Sequence, residues 1–202
     1  MRAIRKVSVA SLMASVASMS ALADGPDYTY AEAGYFNVEF DDVDVLDLDG
    51  DGYFIGGSAA LAEMVHVFGG YADGEIDAEN TSLSADYTST SLGLGVNYRV
   101  ATDIDIVGQA SYVSAEVDVG GGLDVDESGY GLGIGVRGMA SPQLEFNGGL
   151  SYTDLGGDFD AETALHVGGV YSFTDAFAVN GGLTVSDDAT EFRIGARWYI
   201  AR

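Results

Sequence analysis

The amino-acid sequence predicts an all-β fold: a closed, antiparallel, up-and-down transmembrane barrel of ten strands, with eight as the alternative count. Three observations predict it. Residues 91–100 read Ser-Leu-Gly-Leu-Gly-Val-Asn-Tyr-Arg-Val, so Leu92, Leu94, Val96, Tyr98 and Val100 share one face of a strand, while the other face is mostly small and ends in Arg99. The pattern recurs at 129–138 (Gly-Tyr-Gly-Leu-Gly-Ile-Gly-Val-Arg-Gly), and its ending recurs at 193–198 (Arg-Ile-Gly-Ala-Arg-Trp). Beyond the first 23 residues the chain has no apolar run approaching the roughly 18 needed for a spanning helix, so strands must do any crossing of a membrane.

A soluble sandwich would point the apolar face inward and carry Lys, Thr or Glu on the other. Here the opposite face is Gly and Arg, and no lysine follows Lys6, which favours lipid outside and a narrow polar interior. Residues 1–23 are set apart as a secretory signal peptide: Arg2, Arg5 and Lys6 precede an apolar Ser/Ala-rich run ending Ala21-Leu22-Ala23. The run is too short and too broken by serines for an anchor helix. Residues 24–202 then form one outer-membrane barrel domain.

Removing the leader takes three of the eight basic residues and leaves five arginines against 32 acidic residues, a net charge of −27. So acidic a chain is not expected to bind nucleic acid, and it meets anionic headgroups only through divalent cations. With no cysteine, disulfides and thiolate metal sites are excluded.

Ten alternating segments follow in order, about 28–40, 52–61, 65–72, 87–100, 104–115, 129–139, 143–153, 161–173, 176–186 and 190–201. Their connections alternate between acidic loops and tight turns at 62–64, 101–103, 140–142 and 174–175. Tight periplasmic turns and longer outer loops are the layout of outer-membrane barrels. Parity assigns Tyr53, Ile55, Leu61, Ile104, Ile106, Tyr112, Leu144, Phe146, Leu150, Tyr152, Leu165, Val167, Tyr171, Phe192, Ile194 and Trp198 to lipid. Tyr28, Tyr98, Tyr171 and Trp198 are placed in a periplasmic aromatic girdle.

The same parity turns Arg99, Arg137, Arg193 and Arg197 inward, with Glu32, Asp105, Glu145 and, at the margin of the pattern, Glu162. Hairpin symmetry pairs Arg99 with Asp105 and Arg137 with Glu145, and closure of the barrel brings Glu32 near Arg193 or Arg197. These pairs are expected to seal the lumen structurally; the sharper reading is a narrow gated pore.

Carboxylates crowd the outer loops. Asp47-Leu48-Asp49-Gly50-Asp51-Gly52 resembles the first half of a calcium loop, making Asp47, Asp49 and Asp51 a candidate metal set, although Ser58 stands where a bidentate Glu belongs. Diffuse capture of divalent cations such as calcium by the whole rim is the broader expectation; no other cofactor is expected. An enzyme is not expected: His66 follows a tight turn, His166 lies within a strand, and no Gly-x-Ser-x-Gly pattern occurs.

The stretches Tyr30-Ala31-Glu32-Ala33-Gly34-Tyr35, Phe68-Gly69-Gly70-Tyr71, Gly93-Leu94-Gly95-Val96-Asn97-Tyr98-Arg99, Gly135-Val136-Arg137-Gly138, and Asp187-Asp188-Ala189-Thr190 leading to Gly195-Ala196-Arg197 resemble small Gram-negative outer-membrane β-barrel proteins. The resemblance is to the OmpA-like and opacity-like kind, and within it to a branch related to a proposed elicitor of plant immunity. It implies export through the periplasm to the outer membrane or its vesicles, and surface-exposed loops. The expected function is envelope structure or surface, host or cation interaction, with a narrow cation-preferring pore as the alternative. Expected partners are outer-membrane lipid, lipopolysaccharide, the barrel insertion machinery and a host or surface molecule, the chain itself being a monomer.

Overall fold

In the computed structural model the described residues are 20–21, 26–40, 48–78, 84–119, 124–157 and 160–200. Residues 1–19, 22–25 and 41–47 lie outside them, and with them most of the expected signal peptide and Asp41 to Asp47. The barrel strands are β1 (Tyr30–Phe40), β2 (Leu48–Ala62), β3 (Val65–Ala78), β4 (Ser84–Ala101), β5 (Ile104–Asp118), β6 (Asp124–Ser141), β7 (Leu144–Asp154), β8 (Glu162–Ser172), β9 (Phe177–Ser186) and β10 (Ala189–Tyr199). Each pairs antiparallel with the next, and β10 closes on β1 in unbroken register from Ala189 opposite Phe40 to Tyr199 opposite Tyr30. Closure leaves no sheet edge within the membrane band, as hydrocarbon requires.

The tight turns gather at one end of the barrel and the longer connections at the other. At the turn end, the first strand of each of three hairpins carries a bulge, at Ala60/Ala62, Arg99/Ala101 and Met139/Ser141. Side-chain oxygens close two of the turns: Ser141 Oγ accepts from the Leu144 N–H at 3.1 Å, and Thr174 Oγ1 from the Phe177 N–H at 3.0 Å.

Strands β2 to β6 run well past the expected boundaries into what reads as acidic loop. β4 and β6 have 18 residues each, a reach of roughly 60 Å at about 3.3 Å per residue. About 9–11 residues suffice to cross a bilayer, so the five strands continue above it as a curved wall. Asp and Glu have weak strand propensity, which disguises these stretches. What holds them extended is an inner face of Leu48, Ile76 and Val117, packed on the buried Phe36, Val38, Phe40 and Tyr87.

The outer face follows the parity reading. Tyr53, Ile55, Ile106, Tyr112, Phe146, Leu150, Leu165, Val167, Phe192, Ile194 and Trp198 are all exposed large hydrophobics. Tyr98, Tyr171 and Trp198 lie on the outside near the turn end, with Trp198 stacked on Phe177 at 6.2 Å. Tyr28 does not join them: it is buried inside the barrel, because the segment before β1 folds into the lumen. Toward the loop end a second group of outward tyrosines lies on β1–β3 and β5–β7: Tyr35, Tyr53, Tyr71, Tyr112, Tyr130 and Tyr152.

Candidate functional site

The lumen has two layers with different chemistry. In the half near the turn end, Arg99 Nε donates to Asp105 Oδ1 at 3.0 Å, and Asp105 stands opposite both Arg99 and Arg137 in the ladders. The Arg99 side chain is 44% exposed and reaches the mouth, whereas that of Asp105 is fully buried. Arg137 Nε donates to Glu145 Oε1 at 2.8 Å. The bulge at Met139 sets Glu145 opposite Met139, so this pair is diagonal and not directly opposed. Arg197 and Glu32 meet across the closing seam, Nη2 to Oε2, at 2.5 Å, and Asn180 Nδ2 donates to the same oxygen at 2.7 Å.

Arg193 does not share Glu32. It is held by Glu191, two residues back on the same face of β10, and lies over the rings of Phe36 and Phe54 at 5.6 and 5.0 Å. The spacing of Glu191, Arg193 and Arg197 on one parity was the available signal for this partner. Glu162 is buried at the start of β8. Four of the five arginines after residue 6 thus face the lumen, and Arg202 lies outside the described residues.

Tyrosines complete this layer. Tyr28 donates through its hydroxyl to Asp105 Oδ2 at 3.0 Å, lies 4.6 Å from the His66 ring, and has the Arg137 guanidinium 4.9 Å over its own ring. Tyr30 lies beneath Arg197 at 3.9 Å. His66 is fully buried and fits because position 95 is glycine: a Cβ there would overlap the imidazole. Both His66 and His166 belong to strands β3 and β8, away from the loop end.

The half near the loop end is apolar, contrary to the polar interior expected. Phe36, Val38, Phe40, Phe54, Tyr87 and Val113 pack as one cluster, and Leu155, from the connection after β7, closes it from above at 1% exposure. The tip of the Phe36 ring reaches over Gly52 and Gly74, where a Cβ would come within 2.7 and 2.9 Å of its Cζ. Several glycines of the inner face thus make room for inward rings, Gly52 and Gly74 for Phe36, Gly93 for Phe68 and Gly95 for His66.

Outside, the wall above the outward tyrosines is acidic and in register. Asp51, Glu75, Asp86, Asp118 and Asp124 stand side by side on five successive strands. Glu39, Asp49 and Asp77 form a second row, and Glu116 opposes Asp126. All ten side chains are exposed. Of the candidate calcium set, Asp47 lies outside the described residues, while Asp49 and Asp51 sit in extended β2. Alternate residues of a strand are about 6.6 Å apart along it, so Asp49 and Asp51 are held in extended backbone and not in a loop. Among the described residues no three His, Cys, Asp or Glu side chains converge as metal ligands.

A family model described as outer membrane protein beta-barrel domain matches residues 9–198. Among solved structures, the beta domain of the Bordetella autotransporter BrkA is similar with a TM-score of 0.57 and 12% identity, covering 86% of this chain and 100% of that one. An outer membrane channel from Pseudomonas putida F1 is similar with a TM-score of 0.56 and 10% identity, over 91% of this chain and 98% of that one. Ail, the attachment invasion locus protein of Yersinia pestis, shares 16% identity over 85% of this chain and 97% of that one, with a TM-score of 0.44. No curated protein matches the sequence. At these identities the likeness is one of fold.

Proposed function

Because this chain belongs to the outer membrane protein β-barrel family, we propose that it serves the outer membrane as a closed-lumen surface barrel, whose acidic wall takes up divalent cations and, through them, lipopolysaccharide. The observation that carries the reading is the row Asp51, Glu75, Asp86, Asp118 and Asp124, directly opposed on neighbouring strands just above the outer tyrosines. Directly opposed like charges cost roughly 0.2–1 kcal/mol per pair. Hard divalent cations relieve that repulsion and prefer carboxylate and phosphate oxygens. The wall begins where the outward tyrosines end, at the height of lipid headgroups, so a bridged cation meets anionic phosphate there.

The ion pairs and the apolar cluster support a structural lumen over the alternative, a narrow cation-preferring pore. Catalysis forms no part of the proposal. The closed barrel favours a monomer delivered through the periplasm by the barrel insertion machinery. Envelope stabilisation, carriage in outer-membrane vesicles and contact with a host surface are all compatible uses of such a wall.

The test compares the refolded chain with a D51N/E75Q/D86N/D118N variant in bilayers containing lipopolysaccharide, with and without magnesium. The expected result is a thermal midpoint that rises with magnesium in the parent and stays flat in the variant. Equal shifts in both overturn the reading.

A further inference from the structure

One wall of the lumen is unlike the rest. Across the turn-end half of β5 to β8 many inward positions are small or polar, and a cavity of about 30 Å³ there is lined by Gln109, Gly133, Arg137, Asn147, Ser151 and His166 together with the apolar Val107, Ile134 and Val136. Roughly 10–15 Å³ of such volume accommodates one water-sized molecule, so the cavity takes two or three, or one compact solute. Asn147 Nδ2, Ser151 Oγ, His166 Nδ1 and Arg137 Nη1 are buried on this wall and find no hydrogen-bond partner in the protein among the described residues. Arg137 as a whole is only 2% exposed. Buried polar groups without partners are costly, so several of them converging on one cavity indicate a hydrogen-bonding occupant.

The chemistry of the lining narrows that occupant. The only charged group of the lining is the Arg137 guanidinium, and Glu145 already balances it at 2.8 Å. What remains unpartnered is the Asn147 carboxamide nitrogen, the Ser151 hydroxyl and the His166 imidazole, set among apolar Val107, Ile134 and Val136, which match a small uncharged molecule that both donates and accepts hydrogen bonds. An ion entering this space loses its hydration with no opposite charge to replace it.

Next to the cavity, toward the turn end, stands the Tyr28 ring, which does not itself line it. Val107 and Arg137 form the cavity's edge toward the turn end, and the Tyr28 ring packs on both: it shares a buried cluster with Val107 and lies 4.9 Å below the Arg137 guanidinium. Tyr28 belongs to no barrel strand. It precedes β1 and is retained there by its bond to Asp105 and by the His66 ring. We propose that the β5–β8 cavity is a binding site for small uncharged hydrogen-bonding solutes, closed toward the turn end by the Tyr28 ring. The site is independent of the acidic wall and of any role for it.

Because the chain contains no cysteine, Ser151→Cys provides a single reporter in the full refolded protein. Its reaction rate is measured with methyl methanethiosulfonate, which is small and neutral, and with its anionic sulfonatoethyl analogue, in the folded band that heat-modifiable mobility identifies. With Tyr28 present, the neutral reagent is expected to react slowly, formamide to slow it further by competition, and the anionic reagent to react at least about tenfold more slowly. Tyr28→Ala is expected to accelerate the neutral reagent about tenfold or more. Tyr28→Phe keeps the ring but loses the bond to Asp105, gives a smaller acceleration, and serves if Tyr28→Ala does not refold. Neutral rates that are the same with and without the Tyr28 changes overturn closure by Tyr28. Absence of formamide protection, or equal rates for the two reagents, overturns the site.

Discussion

Arg197 and Glu32 stand 165 residues apart in the chain and meet at 2.5 Å inside the seam where the last strand closes on the first, with the Tyr30 ring stacked beneath the guanidinium. Both side chains are essentially inaccessible. Removing one partner strands a buried charge, so Glu32→Ala and Arg197→Ala are each expected to cost about 3–5 kcal/mol. Replacing both by methionine removes the charges together and should cost much less. Urea unfolding in micelles, followed through the single tryptophan, Trp198, measures all three. A double variant as damaged as the sum of the single ones would show that the two residues are not coupled.

The apolar cluster makes a prediction about conduction. Phe36 and Phe54 fill the lumen below Leu155, and Arg193 lies over both rings. The parent protein should therefore show no steady ion steps in planar bilayers. Phe36→Ala/Phe54→Ala should show them only when the ion-pair layer of the other half is opened too, as by adding Tyr28→Ala and Glu32→Ala. Each Phe truncation is also expected to lower stability by about 3–5 kcal/mol through the space it leaves. Cation-selective steps in the parent that shift on neutralising Glu32 would instead establish the pore.

Much of this architecture was legible in the sequence because a strand has a period of two, and a barrel in lipid reverses the usual meaning of the two faces. Leu92, Leu94 and Val96 signalled the outside, and arginines on an otherwise glycine-rich parity signalled the inside. Arg99 with Asp105 was readable from hairpin symmetry, because those residues oppose one another despite the bulge beside them. Glu191 was overlooked, because hairpin symmetry looks for partners across strands and its partner, Arg193, is two residues away on the same face of its own strand. Tyr28 misled because an aromatic at the start of a strand looks the same whether it meets a headgroup or enters the lumen. Phe36 and Phe54 were hidden for a related reason: their inward fit depends on glycines of neighbouring strands, such as Gly52 under Phe36. The wall above the membrane was read as loop because its outward residues are Asp and Glu, although Leu48, Ile76 and Val117 kept the alternation.

Trp198 tests which face meets lipid. It is 54% exposed on the outer surface near the turn end, on the opposite face of β10 from Arg197. In bilayers its emission should be blue-shifted relative to the urea-unfolded chain and strongly quenched by lipids brominated on the upper acyl chain. Aqueous iodide should quench it weakly. The reverse pattern would turn β10 inside out and invalidate every face assignment tied to its register.

Asp86 offers a test of the acidic wall that needs no ligand. It stands directly opposite Glu75 on one side and Asp118 on the other, on the exposed face. Asp86→Asn removes a charge from between two like charges while leaving the strand and its inner face unchanged. The expected result is a gain of about 0.5–1 kcal/mol at low ionic strength. Raising salt to about 0.5 M should erase most of that gain, because the screening length then falls to a few ångströms, about the separation of neighbouring strands. Asp175→Asn, in an exposed turn at the other end of the barrel, serves as the control and should change little at either salt. Equal effects at the two positions would mean that the stabilisation reflects net charge alone. A gain confined to Asp86 would mean that the ladder is held under local repulsion, which is the condition for cations to be taken up there.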